Sequence, residues 1–482
     1  MKLYAAELDF RAVARESGVP ETFPRQLHSE AAAVTDLRQN RRDMREVPLV
    51  TIDPVGSMDL DQAMCLEKAP GEGWLVRYAI ADVGGLIDPA SALFAESLKR
   101  GQTIYLPDDP SRLHPAELSE GAGSLLPDVD RVAVMWEILL DSEGEPIETD
   151  VYPALVRSRA RLDYEQVQAD LDNGTAHPSV ALLEEVGRAR QTSSKRRAAI
   201  NLRLPAQRVV RDSDGAFELA LDPRPASMDY NSEISLLAGM VAGEMMARHS
   251  VGVLRVLAPA SDQDIRDFLV AVEALGFEAP AARIEDIAGF LSRVDAQTPR
   301  GMAVMRDASR LLRGSGYEKL AKTGGENSTP TPHAGVGGVY AHVTAPLRRL
   351  IDRYGLEFCL AIAAFERGET KTVEVPGWVT DTLDQATYSM KRSGALAATV
   401  DRKCLNLTES VVLAPWVGTT FDAAVLHNKA TAAEIFVARP PVIANCVGSG
   451  DAGLPQEGTC QLVTLVTADP AAAEVTFAWP AD

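Results

Sequence analysis

Hydrophobic positions along the chain change their period several times, and each change marks an element. Up to about Glu46 the apolar residues recur with helical spacing, broken at Gly18-Val19-Pro20. Val47-Pro48-Leu49-Val50-Thr51-Ile52 then makes a short β-rich run that ends in an acidic loop. Residues 74–80 alternate, so Trp74, Val76, Tyr78 and Ile80 share one face of a strand. A second strand group is predicted near 132–140 and 151–156. Helices dominate further on. Ser261 is a candidate N-cap with Asp264 three residues later, ahead of a stripe of Ile265, Phe268, Leu269, Val272 and Leu275 closed by Gly276. Residues 349–366 form another long helix candidate.

After about Cys404 the texture changes to short strands, at 433–437, 460–466 and 475–479, separated by Gly/Pro/Asp turns. That pattern predicts a small all-β barrel. The expected class is α+β, in three parts: a short helical segment over 1–46, a main domain over 47–405 and a β barrel over 406–482. The 482 residues suffice for this division. No internal repeat or low-complexity tract interrupts it.

Composition narrows the setting more than the chemistry. Five scattered cysteines without a C-x-x-C pair argue against a disulfide framework and a cysteine zinc site. No segment has the apolar length of a membrane span, and the first residues lack the apolar core of a secretory signal. A reduced, cytoplasmic protein with no membrane association is the expectation. The net charge of −20 does not suggest a polyanion as partner. Positive charge is nevertheless concentrated locally. Arg188, Arg190, Lys195, Arg196, Arg197, Arg203, Arg208 and Arg211 fall in a stretch free of Asp and Glu, read equally well as a binding patch or a solvated face.

The chemistry is densest at Thr51-Ile52-Asp53-Pro54-Val55-Gly56-Ser57-Met58-Asp59-Leu60-Asp61-Gln62-Ala63. Asp59 and Asp61 are two apart, so in extended backbone they point the same way. Asp53 precedes them across a Pro/Gly loop able to fold it back onto them. Converging carboxylates repel unless a cation lies among them, and hard oxygen ligands select Mg²⁺. Two such ions about 3.5–4 Å apart would clamp an in-line phosphoryl displacement. A solvated acidic turn is the competing reading of this stretch taken alone.

The acidic stretch resembles the aspartate signature of the ribonuclease II/RNB exoribonucleases. The likeness continues through Ala79-Ile80-Ala81-Asp82-Val83, Arg100-Gly101-Gln102-Thr103-Ile104-Tyr105-Leu106-Pro107, Leu118-Ser119 and Ser124-Leu125. It returns at Tyr340-Ala341-His342-Val343-Thr344-Ala345-Pro346-Leu347-Arg348-Arg349. The resemblance implies an RNB-type catalytic domain and a C-terminal OB barrel that binds RNA. It also implies hydrolysis of single-stranded RNA from the 3′ end to nucleoside 5′-monophosphates by a monomer using Mg²⁺, with Mn²⁺ as the alternative ion. On that basis Asp53, Asp59, Asp61 and Gln62 form the metal set, and Asp61, Arg348 and Glu233 are catalytic. Tyr105, Tyr164, Arg348, Arg349, His342 and Thr344 contact RNA: Tyr105 stacks on the terminal base, Arg348 meets phosphate, and Tyr164 with Glu233 reads the ribose.

Several positions depart from the family pattern. Gln62 stands where a fourth aspartate is usual, Ala345 replaces a serine, Leu350 replaces an aromatic, and Val209 falls where a second base-stacking aromatic is expected. A catalytically silent RNB-fold protein therefore stays open beside the active enzyme, as does an unrelated two-metal phosphoesterase, which leaves Arg348 and Tyr105 without a role. The residues before Asp53 are too few for a cold-shock barrel of the family type. The expectation is a wide entrance that tolerates structured regions in the RNA. Residues 10–27 have a superficial helix-turn-helix look that Pro24 would interrupt; the family's ordinary lead-in fits better. Phe421, Phe436, Phe477 and Trp479 are candidates for base stacking or for barrel core.

Overall fold

The computed structural model describes residues 4–5, 8–196, 199–204, 206–211, 215–221, 224–320, 329–449 and 453–481, without the side chains of residues 4 and 194–196. Its centre is a seven-stranded sheet. In spatial order the strands are Arg42–Asp43, Pro146–Arg157, Asp130–Leu140, Trp74–Ala81, Gln62–Lys68, Val50–Asp53 and Ala160–Asp163. The inner pairings are antiparallel and the two outer ones parallel. The alternation read at 74–80 holds: Trp74, Val76, Tyr78 and Ile80 are buried, and Leu75 and Arg77 are half-buried. The buried face packs with helices Ala226–His249 and Leu350–Glu366 into one large core. The second of these helices fills the 349–366 expectation.

A helical subdomain has its own core, built from helices Asp262–Ala274, Ile284–Arg293 and Pro299–Ala308 around Phe268, Val272, Ile287 and Leu291. Ser261 caps the first of these, its Oγ accepting the Asp264 N–H at 3.1 Å. The C-terminal strands close into a five-stranded barrel, ordered Thr420–Asn428, Ala433–Ala438, Pro441–Gly448, Glu474–Trp479, Cys460–Asp469. Phe421 and Phe477 are in the barrel core, and Phe436 is buried in a smaller cluster nearby.

Two boundaries differ from the sequence reading. Helix Gly377–Leu413 runs straight through residues 404–406, and the barrel begins after the turn Ala414–Trp416. The reason is a buried i, i+4 row of Val400, Cys404, Thr408 and Val412 that keeps helical spacing past the apparent change of texture. At the other end, helix stops at Ala32 rather than near Glu46. Pro24 is the residue before helix Arg25–Ala32, so it starts that helix instead of interrupting it. The preceding helix, Phe10–Glu16, docks on the body through Phe10, edge-on to Phe217 at 5.0 Å.

Candidate active site

The acidic loop is positioned by strand register and a single serine. Strand Val50–Asp53 pairs in parallel with Ala160–Asp163, which aligns Asp53 with Asp163 and brings it near Tyr164. Asp163 caps helix Tyr164–Asn173 by accepting the Gln166 N–H. The loop turns at Gly56, whose φ of 87° is left-handed. It is then pinned by Ser124, whose Oγ donates to Met58 O at 2.6 Å and accepts from Leu60 N at 3.0 Å. Leu60 is fully buried, so the flanking Asp59 and Asp61 are directed away from that core contact.

Asp61 is 4% exposed. Its Oδ1 accepts the Leu347 N–H at 2.7 Å, and Arg348 Nε lies 3.5 Å from its Oδ2. Two motifs nearly three hundred residues apart thus meet at one carboxylate. Tyr105 donates to Asp59 Oδ2 at 3.4 Å and is 53% exposed, a ring on the rim rather than in the core. Tyr164 accepts from Asn231 Nδ2 at 3.2 Å.

Burial pushes all three carboxyls up. Asp53 rises to about 7, through burial and then the charge of Asp59. Asp59 is raised chiefly by burial, and Asp61 is held well above the usual carboxylate range by the same cause. Arg348 works in the opposite direction on each. One oxygen of Asp53 is buried with no hydrogen-bond partner. Groups that gain so much from a proton gain from a cation for the same reason. Asp53, Asp59 and Asp61 therefore fit a hard divalent ion.

Other predicted residues are placed differently. The Gln62 amide is engaged at both ends: its Nε2 donates to Thr344 O at 2.6 Å and its Oε1 accepts from Tyr78. Thr344 is 2% exposed and bonded to Ser235 and Arg349 as well, so it braces the loop from inside and presents nothing to RNA. Arg349 pairs with the fully buried Asp352 at 2.7 Å, which leaves Arg348 to face Asp61. His342 is bonded to Tyr317 at 3.0 Å, and burial lowers its basicity far below the ordinary histidine range.

Glu233 stands apart from these residues. It lines a cavity with Gln191, Arg203, Arg224 and Asp229, not the one that holds Tyr105 and Arg348. The cause is helical phase, since Asn231 and Ser235 share the face toward Tyr164 and Thr344, and Glu233 lies roughly 200° around from each. Several arginines of the basic stretch have partners within the protein. Arg188 pairs with Glu184, Arg190 is buried, Arg203 donates to three backbone carbonyls at 291, 292 and 294, and Arg211 lies over Phe217. The side chains of Lys195, Arg196 and Arg197 lie outside the described residues.

A cavity of about 390 Å³ holds Gln102, Thr103, Tyr105, Arg348 and Arg349. A second, of about 680 Å³, shares Gln102 and Arg349 and adds Arg255, Tyr317, His342, Tyr388 and Lys391. Both have cationic and aromatic side chains in their walls, with Asp401 in the first and Asp384 in the second, and the first holds the two residues, Tyr105 and Arg348, that touch Asp59 and Asp61. Sequence reading missed Asn231, Ser235 and Ser124; the first two carried a signal, a polar i, i+4 pair in a largely apolar helix.

Residues 41–355 match the RNB domain family model, a span that includes Asp53, Asp59, Asp61, Tyr105, Tyr164 and Arg348. The chain belongs to the RNB domain family. Beyond the RNB domain, residues 419–479 match the RNase II-type exonuclease C-terminal S1 domain, which is the barrel described above. Ribonuclease R of Escherichia coli is 28% identical over 375 residues, 74% of this chain and 45% of that protein. Ribonuclease R of Chlamydia muridarum is 26% identical over 363 residues, 72% of this chain and 51% of that protein. This RNB chain thus spans about half the length of the curated relatives it matches. Mycoplasma genitalium RNase R, solved with ribose-methylated single-stranded RNA, shares the fold with a TM-score of 0.85 at 18% identity, over 98% of this chain and 77% of that one. Yeast Ssd1, described as a pseudonuclease, shares it at 0.69 and 13% identity, over 90% of this chain and 55% of that one.

Proposed function

We propose that this RNB chain is a 3′→5′ exoribonuclease that hydrolyses single-stranded RNA to nucleoside 5′-monophosphates. One observation carries the reading: three under-neutralised carboxylates, one buried and two half-buried, lie within reach of the Arg348 charge, with an exposed tyrosine at the rim. Arg348, 42% exposed at its side chain, offers a planar guanidinium to the scissile phosphate and to the charge that grows on it. Tyr105 gives the terminal base a stacking surface that does not depend on sequence. Tyr164 and Asn231 supply hydroxyl and amide groups to a ribose 2′-hydroxyl. Leu347 N–H and Arg348 hold Asp61 in place, and Gln62 acts as a strut through Tyr78 and Thr344. Mg²⁺ held by Asp53, Asp59 and Asp61 would supply Lewis-acid polarisation and an activated water, with Mn²⁺ able to use the same oxygens.

The proposal extends to the cytoplasm as its setting and to a monomer as the working form. Supporting the first, the five cysteines are free, and no helix among the described residues is long and apolar enough to cross a membrane. A silent, RNA-binding role is the second reading, favoured by the one observation that Gln62 stands where the family pattern has an aspartate. A 5′-labelled oligoribonucleotide with Mg²⁺, beside its DNA counterpart, separates the two. Progressive shortening of the RNA alone, abolished by EDTA, supports the exonuclease. RNA that stays intact but shifts on a native gel supports the silent relative.

A further inference from the structure

Asp307, His427 and Glu457 gather at the seam between the helical subdomain and the barrel, far in sequence from the acidic loop. Asp307 is the penultimate residue of helix Pro299–Ala308, His427 is near the end of the barrel's first strand, and Glu457 precedes the strand Cys460–Asp469. His427 Nδ1 lies 3.1 Å from Asp307 Oδ1 and 3.3 Å from Glu457 Oε1. All three ligand atoms fall within 4.8 Å of one another. Ligands about 2.0–2.1 Å from a tetrahedral ion are spaced about 3.3 Å apart, so two edges of such a site are already in place.

A second observation lies on the next residue. Asn428 Oδ1 is buried and has no hydrogen-bond partner, although the same side chain donates to Pro455 O and its backbone N–H reaches Glu457 Oε2 at 3.4 Å. The strand is irregular between Val425 and His427, which breaks the side-chain alternation at this point. Arg310 Nη2 is 3.2 Å from Asp307 Oδ1. Burial raises the proton affinity of both acids despite the His427 ring between them.

We propose that Asp307, His427 and Glu457 form a binding site for a divalent transition-metal ion, of the Zn²⁺ class, that joins the helical subdomain to the barrel. One imidazole and two carboxylates suit such an ion better than Mg²⁺, which prefers oxygen alone. The site is next to the Arg306–Glu434 pair, two hydrogen bonds of 2.5 and 3.0 Å across the same seam. An ion here would hold the barrel in a fixed relation to the helices, whatever reaction the acidic loop performs.

The test is Zn²⁺ alone, titrated by calorimetry into chelator-treated full-length chain carrying Asp59→Asn and Asp61→Asn, so that the acidic loop does not compete. One equivalent should bind, and His427→Ala should weaken it by roughly a hundredfold or more. No binding at micromolar Zn²⁺, or affinity unchanged by His427→Ala, overturns the proposal and leaves His427 as a hydrogen-bonding side chain between two acids. X-ray absorption at the zinc edge, on protein with His427 intact, guards against a variant that misfolds. A nitrogen/oxygen shell with one imidazole supports the site; sulfur or several imidazoles overturn it.

Discussion

Asp61 and Asp82 stand at the same end of two neighbouring strands, joined where the Ala81 N–H meets the Asp61 carbonyl, and both are almost fully buried. Their surroundings are opposite. Asp82 accepts from Arg38 Nε at 2.7 Å, from Arg41 Nη2 at 2.8 Å and from the Gly85 N–H, and the two arginines hold its carboxyl below the usual range despite burial. Asp61 has one amide and one arginine at 3.5 Å, and burial wins. The same residue type, a few ångströms of sheet apart, is neutralised in one place and left wanting a cation in the other. Burial of an acid therefore says little about its role; what differs between these two is how far the neighbouring arginines neutralise it.

The first way to break this comparison is to neutralise both acids. Asp61→Asn should lower RNA hydrolysis by roughly a thousandfold with no loss of folding stability, read from oligoribonucleotide shortening and denaturant unfolding. Asp82→Asn should do the reverse in kind. It removes the buried acid that Arg38 and Arg41 share, leaving them Glu357 and Asp36, and should cost about 3 kcal/mol of stability on denaturant unfolding. If Asp82→Asn leaves stability intact, the contrast fails. Arg348→Ala should cost roughly a hundredfold in kcat, partly recovered by Arg348→Lys, whereas Tyr105→Ala should weaken RNA binding by about 1–3 kcal/mol with a smaller effect on kcat.

The subtlest test is pH. Asp53 is raised to about 7, so in metal-free protein the stability it contributes is full below the ordinary aspartate range and is lost as pH rises through about 7. Mg²⁺ competes with that proton, so its apparent affinity should fall by about tenfold per unit below pH 7. Glu409 is also pushed up to about 7 by burial, so the difference between wild type and Asp53→Asn isolates the site.

Much of this was legible beforehand because local pattern and local structure coincide. The alternation at 74–80, the Ser261 cap and the barrel strands read directly. The aspartates and Arg348 were legible because their motifs are dense. Glu233 was not: motif spacing alone ignored helical phase, which turns it away from the face shared by Asn231 and Ser235. The boundary near 405 failed because polar residues on a long helix resemble a linker while Val400, Cys404, Thr408 and Val412 keep it buried. The basic stretch stayed open between two readings because the partners of Arg188, Arg203 and Arg211, a carboxylate, backbone carbonyls and a ring, are not visible in a linear reading.

The account rests on the acidic loop being a cation site that its own arginine leaves unsatisfied. Calorimetric titration of Mg²⁺ into chelator-treated wild type, Asp61→Asn and Asp82→Asn at pH 8 tests that most directly. The account predicts binding to wild type, a loss of at least about tenfold in affinity for Asp61→Asn, and unchanged affinity in Asp82→Asn protein that remains folded. Equal affinity in wild type and Asp61→Asn would contradict it.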